Sequence, residues 1–177
     1  MDYILNDVTG IPDRDTFLTV RRSVNFSRII PFVNRISTRS AARKKSLSFF
    51  EKRYQVNNLD FLCYFPNLDF LFLEDTSVDT LAPLAACIKI ETLCLYNLTV
   101  ADGDFTPIGK LPLLKRFTVE NCGLTNIEWI SNLGCLEVCG LDENDIPDFS
   151  PIKTVPSLEI VSVNHLDVYE APFDDLP

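Results

Sequence analysis

The chain has 177 residues, 46% of them hydrophobic, with a mean hydropathy of +0.10. That is enough apolar material to bury a core, and it excludes a disordered chain. Lys+Arg number 16 against 25 Asp+Glu, giving a net charge of -9 and a pI near 4.5, which argues against non-specific nucleic-acid binding because that requires charge that neutralises phosphate.

The charge is unevenly placed. Residues 1–55 carry 11 Lys/Arg and 5 Asp/Glu, whereas residues 56–177 carry 5 and 20. A basic leading segment therefore precedes a very acidic body. Residues 1–7 are acidic where a signal peptide is basic, and no apolar h-region follows. No apolar run approaches the roughly 20 residues of a membrane helix. The most apolar stretch, 59–73, is broken by Asp60, Pro66, Asn67 and Asp69. The expectation is a cytoplasmic protein with no membrane partner. Residues 1–45 read as a basic N-terminal cap or flank, strand-like at 16–20, with an apolar run at 26–36 broken by Pro31.

From residue 46 the chain repeats. A degenerate opening coil is expected over 46–67. Its second half, Val56, Leu59, Leu62 and Phe65, precedes Val78, Leu81, Leu84 and Cys87 by 22 residues. In its first half, Phe49 is assigned three places after the start, and Glu51 falls where an apolar residue should follow. Full units open at Leu68, Ile90, Leu114, Leu136 and Leu158. Each has an apolar residue at plus three (Leu71, Leu93, Phe117, Cys139, Val161) and at plus five (Leu73, Leu95, Val119, Leu141, Val163). Another recurs ten places after the start, at Val78 and Val100, then Leu124, Ile146 and Val168. The second unit is two residues longer, around 101–105. Residues 169–177 read as a tail that closes the last coil.

The pattern L-x-x-L-x-L-x-x-N/C-x-L is the leucine-rich-repeat signature. The 22-residue period, with Asp-Phe-Thr-Pro-Ile at 104–108 and Asp-Phe-Ser-Pro-Ile at 148–152, resembles the internalin-type or SDS22-like class over roughly 56–168. The resemblance implies an α/β solenoid, a short right-handed horseshoe. Its concave sheet is parallel, with strands near 70–73, 92–95, 116–119, 138–141 and 160–163, and its convex segments are short and helical or irregular. It also implies that the Asn/Cys side chain hydrogen-bonds the turning backbone of adjacent coils. That column reads Thr76, Leu98, Cys122, Asn144, Leu166, so turns at Leu98 and Leu166 must be satisfied in another way.

No constellation for catalysis emerges. His165 is the single histidine, too many coils from Cys94, the best-exposed cysteine by register, to form a Cys–His pair. Cys135 and Cys139 offer two zinc ligands at most, and Cys139 lies in a core column. Asp142, Glu143, Asn144 and Asp145 resemble a calcium loop in composition, but Ile146 and Pro147 stand where a ligand and the turn glycine belong. No phosphate-binding glycine motif or nucleophile elbow occurs. The expectation is a non-enzyme with no cofactor, no metal and no small-molecule substrate. All six cysteines are expected to be reduced.

Strand alternation predicts which residues face out onto the concave sheet. Phe70, Phe72 and Tyr96 form an aromatic group on the first two units. Glu74, Asp75, Glu120, Asp142 and Glu143 form an acidic ridge along one edge. Arg116 is the one cation in the outward columns, within reach of Glu120 or Glu137. Trp129, on the convex side, is in register for partial exposure and is a weaker contact candidate. Grouped outward aromatics suggest a protein contact, and the acid suggests a basic partner. The most specific expectation is a cytoplasmic immunity or inhibitor protein occluding a basic toxin or enzyme domain. The alternatives are an SDS22-like regulatory or scaffolding subunit, or an internalin-like surface adhesion protein.

Overall fold

The computed structural model describes residues 43, 45–49, 58–163 and 167–170. The N-terminal cap, the expected strand at 16–20, Val56, His165 and Leu166 lie outside the described residues, as does most of the tail.

A seven-stranded sheet runs in the order β1-β2-β4-β6-β7-β8-β9. Its strands are β1 (Ser46–Phe49), β2 (Phe70–Glu74), β4 (Thr92–Tyr96), β6 (Arg116–Glu120), β7 (Val138–Gly140), β8 (Ile160–Val163) and β9 (Asp167–Glu170). The first six are parallel, each pairing with the strand one coil away. This is the leucine-rich-repeat solenoid. The side chains at plus three, Leu71, Leu93, Phe117, Cys139 and Val161, are all fully buried, as is Leu47 before them. One coil cannot bury its own apolar edge, so stacking supplies the core.

Among the described residues the convex side is built of five-residue 3-10 helices, one following each of the first five parallel strands: Asp60–Tyr64, Ala82–Ala86, Thr106–Lys110, Glu128–Asn132 and Ser150–Thr154. A side-chain oxygen two residues before the first N–H of each helix sets its start. Asn58, Thr80, Asp104, Asn126 and Asp148 accept from the backbone N–H of Asp60, Ala82, Thr106, Glu128 and Ser150 at 2.6, 3.1, 2.9, 2.8 and 2.8 Å. Short polar side chains are suited to this turn because they reach their own backbone two residues on.

The opening coil differs from the sequence expectation. Leu47 pairs with Leu71 and Phe49 with Leu73, so Leu47 holds the plus-three position and Phe49 the plus-five. The spacing from Leu47 to Leu71 is two residues more than the 22 assumed, the same excess as in the second full unit. An excess placed after the strand slides the strand two places, which preserves which face each side chain occupies. Phe49, and not Glu51, is therefore the plus-five residue of this coil.

The end of the array also departs from the repeat. β9 runs antiparallel to β8, with Ser162 opposite Val168. Val168 thus lies on an edge strand and not in the plus-ten column. The strand covers one side of β8 that would otherwise present an unpaired edge.

The turns after the strands are satisfied in two ways. Between the first two full coils, β3 (Ser77–Val78) and β5 (Thr99–Val100) pair in parallel, with Thr99 N–H donating to Thr76 carbonyl at 3.0 Å. Leu98 is therefore free to be a buried core residue. In the later coils Asn144 takes over. Its Oδ1 accepts from Cys122 and Leu124 N–H at 3.2 and 3.0 Å, and its Nδ2 donates to the carbonyls of Val119, Leu141 and Asp142 at 2.9, 3.1 and 2.8 Å.

Trp129 is 7% exposed, which corrects the expectation of a convex contact. Its ring meets Phe117 edge-on at 5.7 Å, and its Nε1 donates to Asn126 carbonyl at 3.1 Å. The indole occupies a position held by Pro83, Pro107 and Pro151 in three other coils. Gly109 on the preceding helix packs close against the Trp129 backbone, where an added Cβ would stand 2.9 Å from Trp129 carbonyl oxygen.

Candidate functional site

The outward faces of β2, β4 and β6 carry the predicted aromatic and acidic residues together. Register places Phe72 beside Cys94 and Thr118, and Glu74 beside Tyr96 and Glu120. Phe72 and Tyr96 are diagonal neighbours, with ring centroids 5.5 Å apart and planes inclined by 33°. Both rings and Phe70 are half-buried, which leaves apolar ring surface on the sheet. Burial pushes the Tyr96 phenol above its usual pKa; Cys94, Glu120 and Glu74 push it the same way, against a side-chain hydrogen bond with Thr118. The phenol stays protonated at neutral pH.

The acidic ridge is only partly as expected. Glu74 and Glu120 flank Tyr96, and Asp75 and Glu143 are exposed at the turn. Asp142 is 8% exposed, and its Oδ2 accepts from Ser162 hydroxyl at 2.8 Å. β7 ends at Gly140, so Asp142 lies past the strand and turns its carboxylate toward the neighbouring coil. It belongs to the fold and not to the exposed ridge.

The turn residues share a left-handed backbone. Asp75, Asn97, Asn121 and Glu143 have φ of 50, 49, 49 and 53°. Asp and Asn tolerate this region better than other side chains. Asn121 Nδ2 donates to Asn97 Oδ1 at 2.9 Å, and Asn97 Nδ2 to Asp75 Oδ1 at 3.0 Å. This amide ladder ends on a carboxylate and ties three coils together along the edge.

Sequence reasoning missed how far the acid extends. Asp79, Asp102, Asp104, Asp145 and Asp148 are exposed on the loops that descend from the strand ends. No Lys or Arg occurs from 58 to 88, from 90 to 109 or from 117 to 152. Every cation of that body, Lys89, Lys110, Lys115, Arg116 and Lys153, lies on the helix ends and ascending loops or, for Arg116, at the start of a strand. Reading charge column by column past plus seven would have found this.

The ascending edge behaves differently. At plus one, charges of opposite sign meet: Lys45 with Asp69 at 3.3 Å, and Lys115 with Glu91 at 2.9 Å. The Lys115 ammonium holds the Glu91 carboxyl below its usual pKa, and Glu91 holds Lys115 above its own. Arg116 is exposed at the start of β6 and its charge also reaches Glu91.

None of the six cysteines is disulfide-bonded. Cys63 and Cys135 are the exposed ones, and Cys94, expected to be the best exposed, is half-buried. Burial pushes the Cys87 and Cys122 thiols up to about 11, and raises those of Cys139, Cys94 and Cys63. Thiols raised in this way are poor nucleophiles at neutral pH. Among the described residues no group of three or more His, Cys, Asp or Glu is gathered to hold a metal ion.

No protein-family model matches the chain, and no curated protein matches it. Among solved structures the chain is similar to an internalin (inlF) from Listeria monocytogenes, at 16% identity over 86% of this chain and 56% of that one, with a TM-score of 0.35. It is similar to internalin C2 (inlC2) of the same organism, at 18% identity over 86% and 93%, with a TM-score of 0.33. It is also similar to the plant peptide hormone receptor RGFR1 in complex with RGF2, at 18% identity over 68% and 26%, with a TM-score of 0.45. The chain thus spans about half the length of inlF. At these identities the likeness concerns the fold and no partner.

Proposed function

We propose that this chain is a protein-binding module without catalysis, and that it acts in the cytoplasm as an inhibitor or immunity protein that occludes a basic toxin or enzyme domain. The observation that carries the reading is the aromatic group Phe70, Phe72 and Tyr96 on the concave sheet, bordered by an edge whose exposed charges are all acidic. Desolvated aromatics supply most of the affinity at a protein interface. Carboxylates around them speed encounter with a basic surface and reject acidic ones. Like charges stacked along one edge oppose compaction, so their concentration there is better explained by a partner than by stability.

The test has two stages. Immobilised chain is used to capture a partner from the native host, and binding kinetics are then measured with the purified partner. Phe72→Ala and Tyr96→Ala should each raise Kd by about tenfold or more, chiefly through faster dissociation. Glu74→Lys with Glu120→Lys should slow association and flatten its dependence on salt. The wild-type chain should suppress the partner's activity at equimolar ratio. Unchanged kinetics in all of these variants would place the contact elsewhere on the molecule, and a partner that stays fully active when bound would end the inhibitor reading.

A further inference from the structure

Glu74, Tyr96 and Glu120 are register partners on three adjacent strands, so the strand on either side of Tyr96, about 4.8 Å away, carries a glutamate at the same level. Phe72 adds a second ring 5.5 Å from the first. Among the described residues neither carboxylate joins an ion pair with Lys or Arg.

We propose that this row takes an arginine side chain of the protein partner, an inference that rests on the binding-module reading above. The guanidinium lies over the Phe72–Tyr96 platform and donates to the Glu74 and Glu120 carboxylates. Three features select this group. A cation is attracted to a ring face, more strongly when the site is partly desolvated. The two glutamates come from the strands on either side of Tyr96, and a planar guanidinium can stack on a ring while its five N–H groups point outward in its plane. A lysine ammonium is a compact, strongly hydrated charge that gains from the carboxylates but little from the rings. A divalent cation is a poor fit: it requires several oxygens at about 2.0–2.6 Å, whereas these carboxylates come from strands separated by a third.

The test uses the full chain with fluorescein-labelled hexa-arginine and hexa-lysine peptides, which carry equal charge, read by fluorescence anisotropy at fixed ionic strength. Hexa-arginine should bind about tenfold more tightly. Tyr96→Leu, which keeps apolar bulk and removes the ring, should abolish most of that preference, as should Phe72→Leu. Glu74→Gln with Glu120→Gln should weaken both peptides. Circular dichroism and thermal unfolding confirm that each variant is folded. Equal affinity for the two peptides, or a preference that survives both ring substitutions, overturns the arginine site. If that equality is accompanied by loss of both peptides in the Gln variant, the acidic binding face stands without it. Failure of both peptides to bind, or binding that none of the variants alters, counts against both readings.

Discussion

Asn144 shows what one side chain can do when its amide meets five backbone groups. Removing it leaves donors and acceptors without partners inside the coil, each costing about 1–3 kcal/mol when water cannot reach. Asn144→Ala should therefore lower unfolding stability by at least about 2 kcal/mol in urea titration. Asn121→Ala, which removes one exposed amide from the edge ladder, should cost well under half as much. Comparable losses in the two variants would mean that Asn144's bonds are replaced by water. Glu143 offers a change of opposite sign. It holds a left-handed backbone that Asn adopts more readily, so Glu143→Asn should raise stability by about 0.5–1 kcal/mol. A rise in thermal midpoint checks this. Asn144 was visible in the sequence because the repeat has a column for it. The left-handed turn was not, since its column mixes Asp, Asn and Glu and only the backbone angle unites them. Asp142 was misread because alternation was extended two residues past the end of β7.

At the scale of the element, the columns at plus three and plus five were legible because a strand alternates and only one face meets the core. Leu141 sits in such a column and is 1% exposed. Leu141→Ala should cost about 2–5 kcal/mol, and a loss of a few tenths would mean that the coil can collapse around the gap. The 3-10 helices carry less signal, since five residues show no periodicity. What announces them is the side-chain oxygen at Asn58, Thr80, Asp104, Asn126 and Asp148, whose spacing follows the repeat but was read only in the two aspartate motifs. Trp129 was hidden for a related reason. Its column otherwise holds mostly proline, so the repeat gives no sign that a large ring is buried there against Phe117. Gly109→Ala places a methyl 2.9 Å from a carbonyl oxygen that belongs to the backbone and cannot swing aside. Overpacking of this kind costs about 1–3 kcal/mol, so Gly109→Ala should destabilise despite the better helical propensity of alanine. A neutral result would show that neighbouring coils slide apart easily.

For the molecule as a whole, the sequence declared its net charge but not its layout, because the edges exist only once the coils are stacked. On the ascending edge two ion pairs, Lys45–Asp69 and Lys115–Glu91, join neighbouring coils; on the descending side the exposed charges are all carboxylates. Two of those descending carboxylates also serve the fold. Asp104 is held below its usual pKa first by Thr106 hydroxyl and then by Thr106 N–H; Asp148 is held below first by Ser150 N–H and then by Ser150 hydroxyl. Glu91 is lowered as well, by Lys115. Each carboxyl binds its proton more weakly in the folded chain than in the unfolded one. Its contribution is therefore complete above the ordinary carboxylate range and is lost as pH falls through the lowered value. Lys115 acts on the opposite limb: its pKa is raised, so its share is complete at neutral pH and is lost only as pH rises through that raised value. Acid also relieves repulsion among the remaining edge carboxylates, which works the other way. A variant separates the two effects. Asp104→Asn with Asp148→Asn keeps the amide oxygen that accepts from the next-but-one N–H, yet it cannot titrate. At neutral pH the double variant should be less stable than wild type by the share the ionised carboxylates supply, and below about pH 4 it should lose stability less steeply so that the two converge, as seen in thermal midpoints across a pH series. An acid limb with the same slope in both proteins would show that the helix-starting turns are not where the chain senses acid.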